Sequence, residues 1–95
     1  KFSARALREM GDAHDWYEAQ SVGLGEEFLA AVDLQLKRLE QAPLLYAEII
    51  PCVRRALLPR FPYGVFYAVR KDLVHILAVI HNARNPRRWP KGRMS

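Results

Sequence analysis

The chain has 95 residues, of which 51% are hydrophobic and 26% are charged, and its formal net charge is +5. This composition predicts one small globular domain over residues 1–95. No apolar run approaches the roughly 20 residues that cross a bilayer, and no signal peptide opens the chain, so a membrane protein is not expected. The single cysteine, Cys52, has no partner for an internal disulfide, which favours a reducing, cytoplasmic setting. Lys1 lies in what resembles a strand end, which is compatible with a few further residues before it.

The charges are unevenly divided along the chain. Up to Glu48 there are nine acidic and five basic residues, whereas the rest of the chain has one acid, Asp72, and ten bases. This division predicts that the second half faces an acidic partner such as nucleic acid, the ribosome or an acidic protein segment. A basic surface that only keeps the protein soluble is the alternative.

Two amphipathic helices are predicted in the first half. Ser3 is a suitable N-cap for a helix from Ala4 to about Gln20. The segment Ser21–Gly25 contains two glycines and breaks the helical pattern. A second helix is expected from about Leu24 to Ala42, because Pro43 disfavours its continuation. The short break predicts an antiparallel helical hairpin with one face on a sheet.

Three side chains of these helices stand out by their position. Trp16 lies at the border of the apolar arc, so it either flanks the core or contacts a partner. Leu34 lies outside the arc of the second helix, where it is an ordinary exposed leucine or the mark of a partner helix. His14 lies within the apolar arc and is predicted to face the core.

An antiparallel sheet is predicted after the helices. We expect an irregular connector from Pro43 to Pro51, and we expect Cys52 to be a small core residue. The predicted strands are Val53–Leu58, Tyr63–Arg70 and Leu73–His81, with a tight Lys71-Asp72 hairpin between the last two.

The third predicted strand is apolar on both faces, so we expect it to be central in the sheet. By alternation, one face carries Val74, Ile76, Ala78 and Ile80 and is predicted to pack on the helices. The other face would carry His75 and His81, about 20 Å apart at ~3.3 Å per residue. This separation, and the absence of a partner in ligand spacing for Cys52, predict no metal site. Glycine loops for phosphate, paired carboxylates on the sheet and a serine triad are also lacking, so no cofactor is expected.

Basic residues cluster at the predicted strand ends among aromatic residues. The bases are Arg54, Arg55, Arg60, His81, Arg84, Arg87 and Arg88, and the aromatics are Phe61, Tyr63, Tyr67 and Trp89. Arginines can hold phosphates in a bidentate manner, aromatic rings can stack on bases, and a histidine can exchange a proton near pH 7. This inventory fits metal-free RNA cleavage, and it equally fits a surface that binds an acidic protein.

Three stretches of the chain carry a family pattern. They are WYEAQSVGLGEEFLAAV in the helices, VRRALLPRFPYGVFYAV across the first two strands, and HILAVIHNARNPRRW at the end of the sheet. Together they resemble the RelE/ParE superfamily of toxins from bacterial type II toxin–antitoxin modules. The resemblance covers essentially the whole chain in order. It implies an α+β fold, a two-helix antiparallel hairpin on a small curved antiparallel sheet. It also implies a cognate, ParD-like antitoxin that wraps the toxin with a helix and often adds a strand.

The superfamily divides by mechanism, and the resemblance is closer to its ParE-like members. RelE-like members are ribosome-dependent mRNA endonucleases with several lysines and arginines and a late tyrosine or histidine on the sheet. ParE-like members inhibit DNA gyrase and lack that catalytic set. This chain lacks the lysine-rich second strand and a tyrosine in the tail, which favours a gyrase inhibitor without enzymatic activity. A ribonuclease, or an inactive homologue that only binds its antitoxin, remains an alternative.

The resemblance also implies where the partners bind. The predicted target-binding residues are Arg54, Arg60, His81, Arg84, Arg88 and Trp89. If the chain is a ribonuclease, His81 is the acid–base group and the phosphate binders are Arg54, Arg60 and Arg84. The predicted antitoxin-binding residues are Trp16, Leu34, Arg54 and Arg60.

Overall fold

The computed structural model describes residues 1–91, so Arg93, one of the ten bases of the second half, lies outside the described residues. Two helices come first, followed by four antiparallel strands and a short 3-10 turn. Their bounds are α1 (Ala4–Gln20), α2 (Leu24–Gln41), β1 (Glu48–Ile50), β2 (Val53–Leu57), β3 (Tyr63–Arg70), β4 (Leu73–His81) and the turn Pro86–Arg88. The predicted α+β fold is therefore confirmed, and both helices have nearly the predicted bounds. No helix within residues 1–91 combines the length and the apolar character needed to cross a membrane.

The helical hairpin is held by its caps and by one carboxylate. The Ser3 hydroxyl accepts a hydrogen bond from the Ala6 N–H at 3.0 Å, which caps α1 as predicted. In the turn, Gly23 has φ 89°, a left-handed conformation that favours glycine. The Glu18 carboxylate accepts hydrogen bonds from the N–H groups of Gly23 at 2.8 Å and Gly25 at 3.0 Å. These bonds, that of Gly23 above all, hold the pKa of Glu18 below its ordinary value of 4.5.

The sheet has the strand order β1-β2-β3-β4, and two predictions about it were wrong. The connector contains the short strand β1, which pairs with β2 and makes a fourth strand. Cys52 is exposed in the turn between these strands with φ 66°, so it is not a core residue. Lys71 and Asp72 do form the predicted tight hairpin, and both have positive φ, as its right-handed twist requires.

The position of β4 also differs from the prediction, because this strand lies at an edge of the sheet and β3 is central. The free edge of β4, on the side away from β3, pairs with the start of the chain rather than with another full strand. Phe2 forms a parallel bridge with Ile76, and Ser3 donates its N–H to the Ile76 carbonyl at 2.9 Å. The apolar character of β4 is thus explained by packing on both faces, although its edge position was not foreseen.

A register shift inside β4 reverses the predicted faces of its second half. Phe66 of β3 pairs with Ala78 whereas Tyr67 pairs with Ile76, so Leu77 has no partner of its own. The extra residue sends Ala78 to the face opposite Ile76. The prediction that one face carries all four apolar residues was therefore wrong. His75 and His81 consequently lie on opposite faces, not on the same one.

Each face of the sheet supports its own apolar cluster. The face toward the helices buries Phe28, Val32 and Leu39 of α2 against Val65 and Tyr67 of β3. The opposite face, here called the outer face, carries a smaller cluster of Val53, Phe66, Ala78 and Ile80, with Trp89 packed on it. The segment after β4 therefore crosses to the outer face of the sheet, and this position separates Trp89 from the helices.

Candidate functional site

A cleft of about 960 Å³ opens between α1, the end of β4 and the segment that follows β4. The arginines that line it are Arg5, Arg8, Arg84, Arg87 and Arg88. Two carboxylates, Glu9 and Asp12, also line it, so the lining carries three more positive than negative charges. No lysine is among the described residues that line this cavity, which we call the arginine cleft. A surplus of guanidinium groups in a concave surface favours an anionic ligand.

The wall formed by α1 follows from helical spacing. Arg5, Arg8, Asp12 and Trp16 are separated by three or four residues, so they lie along one face of the helix. Trp16 is 59% exposed and makes an edge contact with Tyr17, with ring centroids 5.1 Å apart. A large aromatic side chain therefore stands open at the end of an arginine row. Trp16 is therefore not part of the buried core.

The wall is fixed to the sheet by Glu9. One of its carboxylate oxygens accepts a hydrogen bond from the Arg5 Nε–H at 3.0 Å, and the other accepts from the Val79 N–H at 2.9 Å. Since β4 is an edge strand, the Val79 N–H faces away from β3 and would otherwise lack a strand partner. The Arg5 guanidinium also donates to the Arg88 carbonyl oxygen, which ties the segment after β4 to α1.

The opposite wall begins at His81. Its Nδ1 accepts a hydrogen bond from the Ala83 N–H at 3.0 Å, which leaves Nε2 as the ring nitrogen available to a ligand. The ring packs edge-on against Tyr63 at 5.2 Å. Burial raises the pKa of Tyr63 above its ordinary value of 10.0, and the nearby Arg84 guanidinium partly opposes that effect. Tyr63 therefore keeps its proton at neutral pH and acts as a neutral hydroxyl.

The structure brings together only some of the predicted site residues. His81, Arg84, Arg88 and Trp16 line the arginine cleft. Arg54, Arg60, Trp89 and Leu34 do not line it. Leu34 is 48% exposed on α2, as its position outside the apolar arc predicts.

Arg54 is engaged within the protein. Its guanidinium donates to the carbonyl oxygens of Tyr46 at 2.5 Å and Leu44 at 3.3 Å, and it lies 3.6 Å from the Glu48 carboxylate. Only 21% of its side chain is exposed. These contacts hold the connector before β1 against the sheet, so the Arg54 side chain has a structural role.

Arg60 lies beside the N-terminal part of α2. Its guanidinium forms an ion pair with Glu27 at 2.6 Å and lies 5.3 Å from the centroid of the Phe61 ring. The side chain is 65% exposed, so it is accessible to a partner that displaces or includes Glu27. This position is separate from the lining of the arginine cleft.

Trp89 belongs to the outer face. Its ring lies 5.6 Å from that of Phe66, and the Arg55 guanidinium lies 5.2 Å from the Trp89 centroid. The same guanidinium lies 6.0 Å from the centroid of the Phe66 ring, so it is close to both aromatic rings. Trp89 covers apolar residues of the sheet, and this packing explains its presence without a ligand.

The sequence interpretation missed the α1 side of the cleft. Arg5, Arg8 and Asp12 were grouped with the solvent-exposed face of the helix. The signal that would have found them is their shared helical face with Trp16, the residue already considered for partner contact. His14 was predicted to face the core, but both of its ring nitrogens are hydrogen-bonded to carboxylates, at 2.9 Å to Asp15 and 3.0 Å to Glu26.

Among residues 1–91, no three His, Cys, Asp or Glu side chains are grouped as a metal site would require. The side chains that line the cleft offer guanidinium groups, two carboxylates, one imidazole, tyrosine hydroxyls and an open indole.

Comparison with solved structures identifies the fold. Nine chains match, among them one from the chromosomal ParDE toxin–antitoxin system of P. aeruginosa, with a TM-score of 0.71 and 22% sequence identity. The alignment covers 84% of this chain and 90% of that chain. At this identity the match shows a shared fold. No curated protein sequence matches this chain.

Comparison with protein families shows what kind of protein this is. The model of the ParE toxin family, described as the ParE toxin of the type II toxin–antitoxin system parDE, matches residues 1–86. This chain therefore belongs to the ParE toxin family. The resemblance to the RelE/ParE superfamily, and to its ParE-like members in particular, is confirmed.

Proposed function

We propose that this toxin inhibits DNA gyrase in the cytoplasm by binding it, without enzymatic activity, and is neutralised by a cognate, ParD-like antitoxin. Membership of the ParE family supports the proposal. The structural observation that supports it is that the four residues predicted for a ribonuclease, His81, Arg54, Arg60 and Arg84, do not lie at one place. Of the four candidates, only His81 and Arg84 line the arginine cleft.

The other two candidates are occupied elsewhere. Arg54 is bonded to the carbonyl oxygens of the connector, and Arg60 is paired with Glu27 of α2. Cleavage of RNA needs a base, an acid and cations for the phosphorane charge within reach of one phosphate. Of the predicted catalytic set, only His81 and Arg84 lie in the cleft, and the other cations there come from residues outside that set. A binding surface has no such requirement, since charge and shape complementarity are sufficient.

The arginine cleft is the proposed target-binding surface. His81, Arg84 and Arg88 of the predicted target set lie there, joined by Arg5 and Arg8. Trp16 adds the kind of aromatic anchor that is enriched where protein partners bind most tightly. In this assignment Trp89 supports the site indirectly, because its packing on the outer face positions the segment that carries Arg84 and Arg88.

The antitoxin is proposed to cover the helical hairpin and to reach Arg54 on β2 and Arg60 in the connection from β2 to β3. A helix across α1 and α2 would contact Trp16 or Leu34, both of which are exposed. An acidic or extended segment would reach Arg54 and Arg60, where it competes with Glu48 and Glu27 for the guanidinium groups. If the helix covers Trp16, it also closes one end of the arginine cleft. Neutralisation would then follow from blocking the target-binding surface.

Purified toxin tests the proposal in two parallel assays. In the first, we expect loss of DNA supercoiling by gyrase as toxin is added, and relief by antitoxin. In the second, messages on translating ribosomes treated with the toxin should remain intact. Gyrase that supercoils normally with excess toxin would overturn the proposal, and cleaved message would establish the ribonuclease in its place. Toxin that is inert in both assays but still binds antitoxin would identify an inactive homologue.

A further inference from the structure

We propose that the arginine cleft binds a short segment of single-stranded nucleic acid. This inference rests on the proposed function, because it specifies what the target-binding surface contacts when a DNA-processing enzyme is the target. The ligand class is argued from the cationic row, the open indole and the carboxylate between them.

The cationic part of the cleft suits phosphate. Arg8 and Arg87 are exposed, and no ion pair engages them within residues 1–91. Arg84 is likewise exposed, and it lines the cleft near Tyr63. Guanidinium groups offer paired N–H donors in a fixed plane, which matches the oxygens of a phosphodiester. The Glu9 carboxylate is already used by Arg5 and Val79, so it does not compete for these arginines.

The aromatic part distinguishes a single strand from a duplex. Trp16 is 59% exposed, and its ring makes an edge contact with Tyr17. A flat indole offers stacking to an unpaired base, whereas the bases of an intact duplex are already stacked on each other. The ligand that uses both the arginines and the indole is therefore a strand with accessible bases.

Asp12 adds a hydrogen-bond acceptor between the two parts of the cleft. It lies on α1 between the arginines and Trp16, and no side-chain partner engages it within the described residues. A carboxylate repels phosphates and acidic side chains alike, so the group that lies against Asp12 must be a hydrogen-bond donor. The exocyclic amino group of cytosine is such a donor, and it lies between the phosphates of a strand.

The length of the cleft wall formed by α1 indicates how many nucleotides can bind along it. Arg5 and Trp16 are separated by 11 helical positions, which is about 17 Å at ~1.5 Å per residue. A stacked strand rises about 3.4 Å per nucleotide, so the wall accommodates roughly five nucleotides. Affinity is therefore expected to rise with oligonucleotide length up to about that number and to change little beyond it.

Fluorescence measurements on the full chain test the proposal. Labelled oligo(dC) of increasing length is titrated with toxin. Trp16 emission is followed in a Trp89→Phe background, which keeps an aromatic ring on the outer face and leaves one indole to report. We expect quenching of Trp16 on binding. The logarithm of affinity should fall with the logarithm of salt concentration with a slope of about −2 to −3, as expected for three or four phosphate contacts at ~0.7 each.

Charge-reversal variants locate the site. Arg8→Glu and Arg84→Glu are each expected to weaken binding at least about 10-fold, and Trp16→Ala by a similar factor. Arg70→Glu is the matched control, because Arg70 is an exposed arginine at the end of β3, outside the cleft lining, and its substitution changes net charge equally. Binding by Arg70→Glu should be within about twofold of the wild type. Circular dichroism confirms that each variant is folded.

Three results would overturn the proposal. They are absence of oligonucleotide binding by the wild type, equal losses in Arg70→Glu and Arg84→Glu, and displacement of the oligonucleotide by poly-glutamate at equal charge concentration. The last would show that the cleft takes an acidic polypeptide. Failure of this inference is separate from failure of the proposed function. Toxin that inhibits gyrase without binding the oligonucleotide leaves the gyrase proposal intact, and the reverse result leaves the nucleic-acid site intact.

Discussion

The Glu9 carboxylate of α1 accepts a hydrogen bond from the Val79 N–H of β4 at 2.9 Å, where an additional strand would otherwise pair. A helix side chain thereby completes the edge of a sheet. The same carboxylate accepts a hydrogen bond from Arg5. Glu9 therefore fixes the positions of α1, the edge strand β4 and a cleft arginine relative to one another. Cleft geometry and sheet stability are therefore coupled through Glu9.

Removal of the Glu9 carboxylate should destabilise the fold. In Glu9→Ala the partly buried Val79 N–H loses its acceptor, and we expect a loss of about 1–3 kcal/mol in the free energy of unfolding. Glu9→Gln should lose less, because its amide oxygen can still accept from Val79. Urea denaturation measures both variants, with Glu40→Ala, an exposed carboxylate of α2, as the control. A Glu9→Ala loss no larger than that of the control would show that the bond contributes nothing.

Two glycine substitutions should have opposite effects. A Cβ on Gly25 would lie 2.5 Å from the His14 carbonyl oxygen and 2.7 Å from the His14 ring, so Gly25→Ala forces the two helices apart. We expect a loss of about 1–3 kcal/mol. A Cβ on Gly11 meets nothing within 4 Å, and alanine is the better helix former, so Gly11→Ala should stabilise by about 0.5–1 kcal/mol. Thermal denaturation of the pair measures both effects; equal shifts for both would contradict the close helix contact.

His14 should make the hairpin more stable in acid than in base. Hydrogen bonds to Asp15 and then Glu26 hold the pKa of His14 above its ordinary value of 6.5. A raised pKa contributes stability that is present in full below the unfolded pKa and is lost as the pH rises through the folded one. The difference in melting temperature between the wild type and His14→Gln should therefore be larger at about pH 5.5 than at about pH 9. A difference independent of pH would show that these ion pairs do not stabilise the fold.

Gln35 should be replaceable by a side chain of similar shape. It is buried in α2, and its amide nitrogen makes long hydrogen bonds to the Leu57 carbonyl oxygen at 3.3 Å and the Tyr46 hydroxyl at 3.4 Å. Its amide oxygen has no partner within the described residues. Because that unpaired oxygen offsets the weak bonds, we expect Gln35→Met to change stability by less than about 1 kcal/mol. Leu39→Ala, on the same helix, is the comparison, with an expected loss of about 2–5 kcal/mol. Similar losses for both variants would contradict this view of Gln35.

The helices were predictable because their signals are local. The cap at Ser3, the glycine break and the proline after α2 each determine a boundary through the backbone of a few residues. The Lys71-Asp72 hairpin was predictable for the same reason. These features depend little on the rest of the molecule.

The sheet was only partly predictable because its errors arise from non-local pairing. The extra residue at Leu77 reverses the faces of the second half of β4, and nothing in the alternation of side chains reveals it. The strand β1 is three residues long and follows a proline-bounded connector, so it carries almost no periodic signal. Its existence depends on pairing with β2.

The candidate site was partly predictable from charge. The segment after β4 was recognised from its concentration of arginines, and His81, Arg84 and Arg88 do lie together. The contribution of α1 was missed because Arg5 and Arg8 resemble an ordinary solvated face. Conversely, Arg54 resembled a free cation, although the connector carbonyls occupy it. Sequence shows which side chains carry charge, whereas the packing of the connector and of α1 decides which charges are available.

We propose that this toxin acts on gyrase through its arginine cleft and not by cutting RNA. Induction of the toxin in bacterial cells without antitoxin tests this proposal, with the DNA-damage response and mRNA cleavage scored in the same culture. We expect a DNA-damage response with intact mRNA, and we expect this response to be reduced by Arg84→Glu and retained in Arg70→Glu. Cleaved mRNA without a DNA-damage response would contradict it.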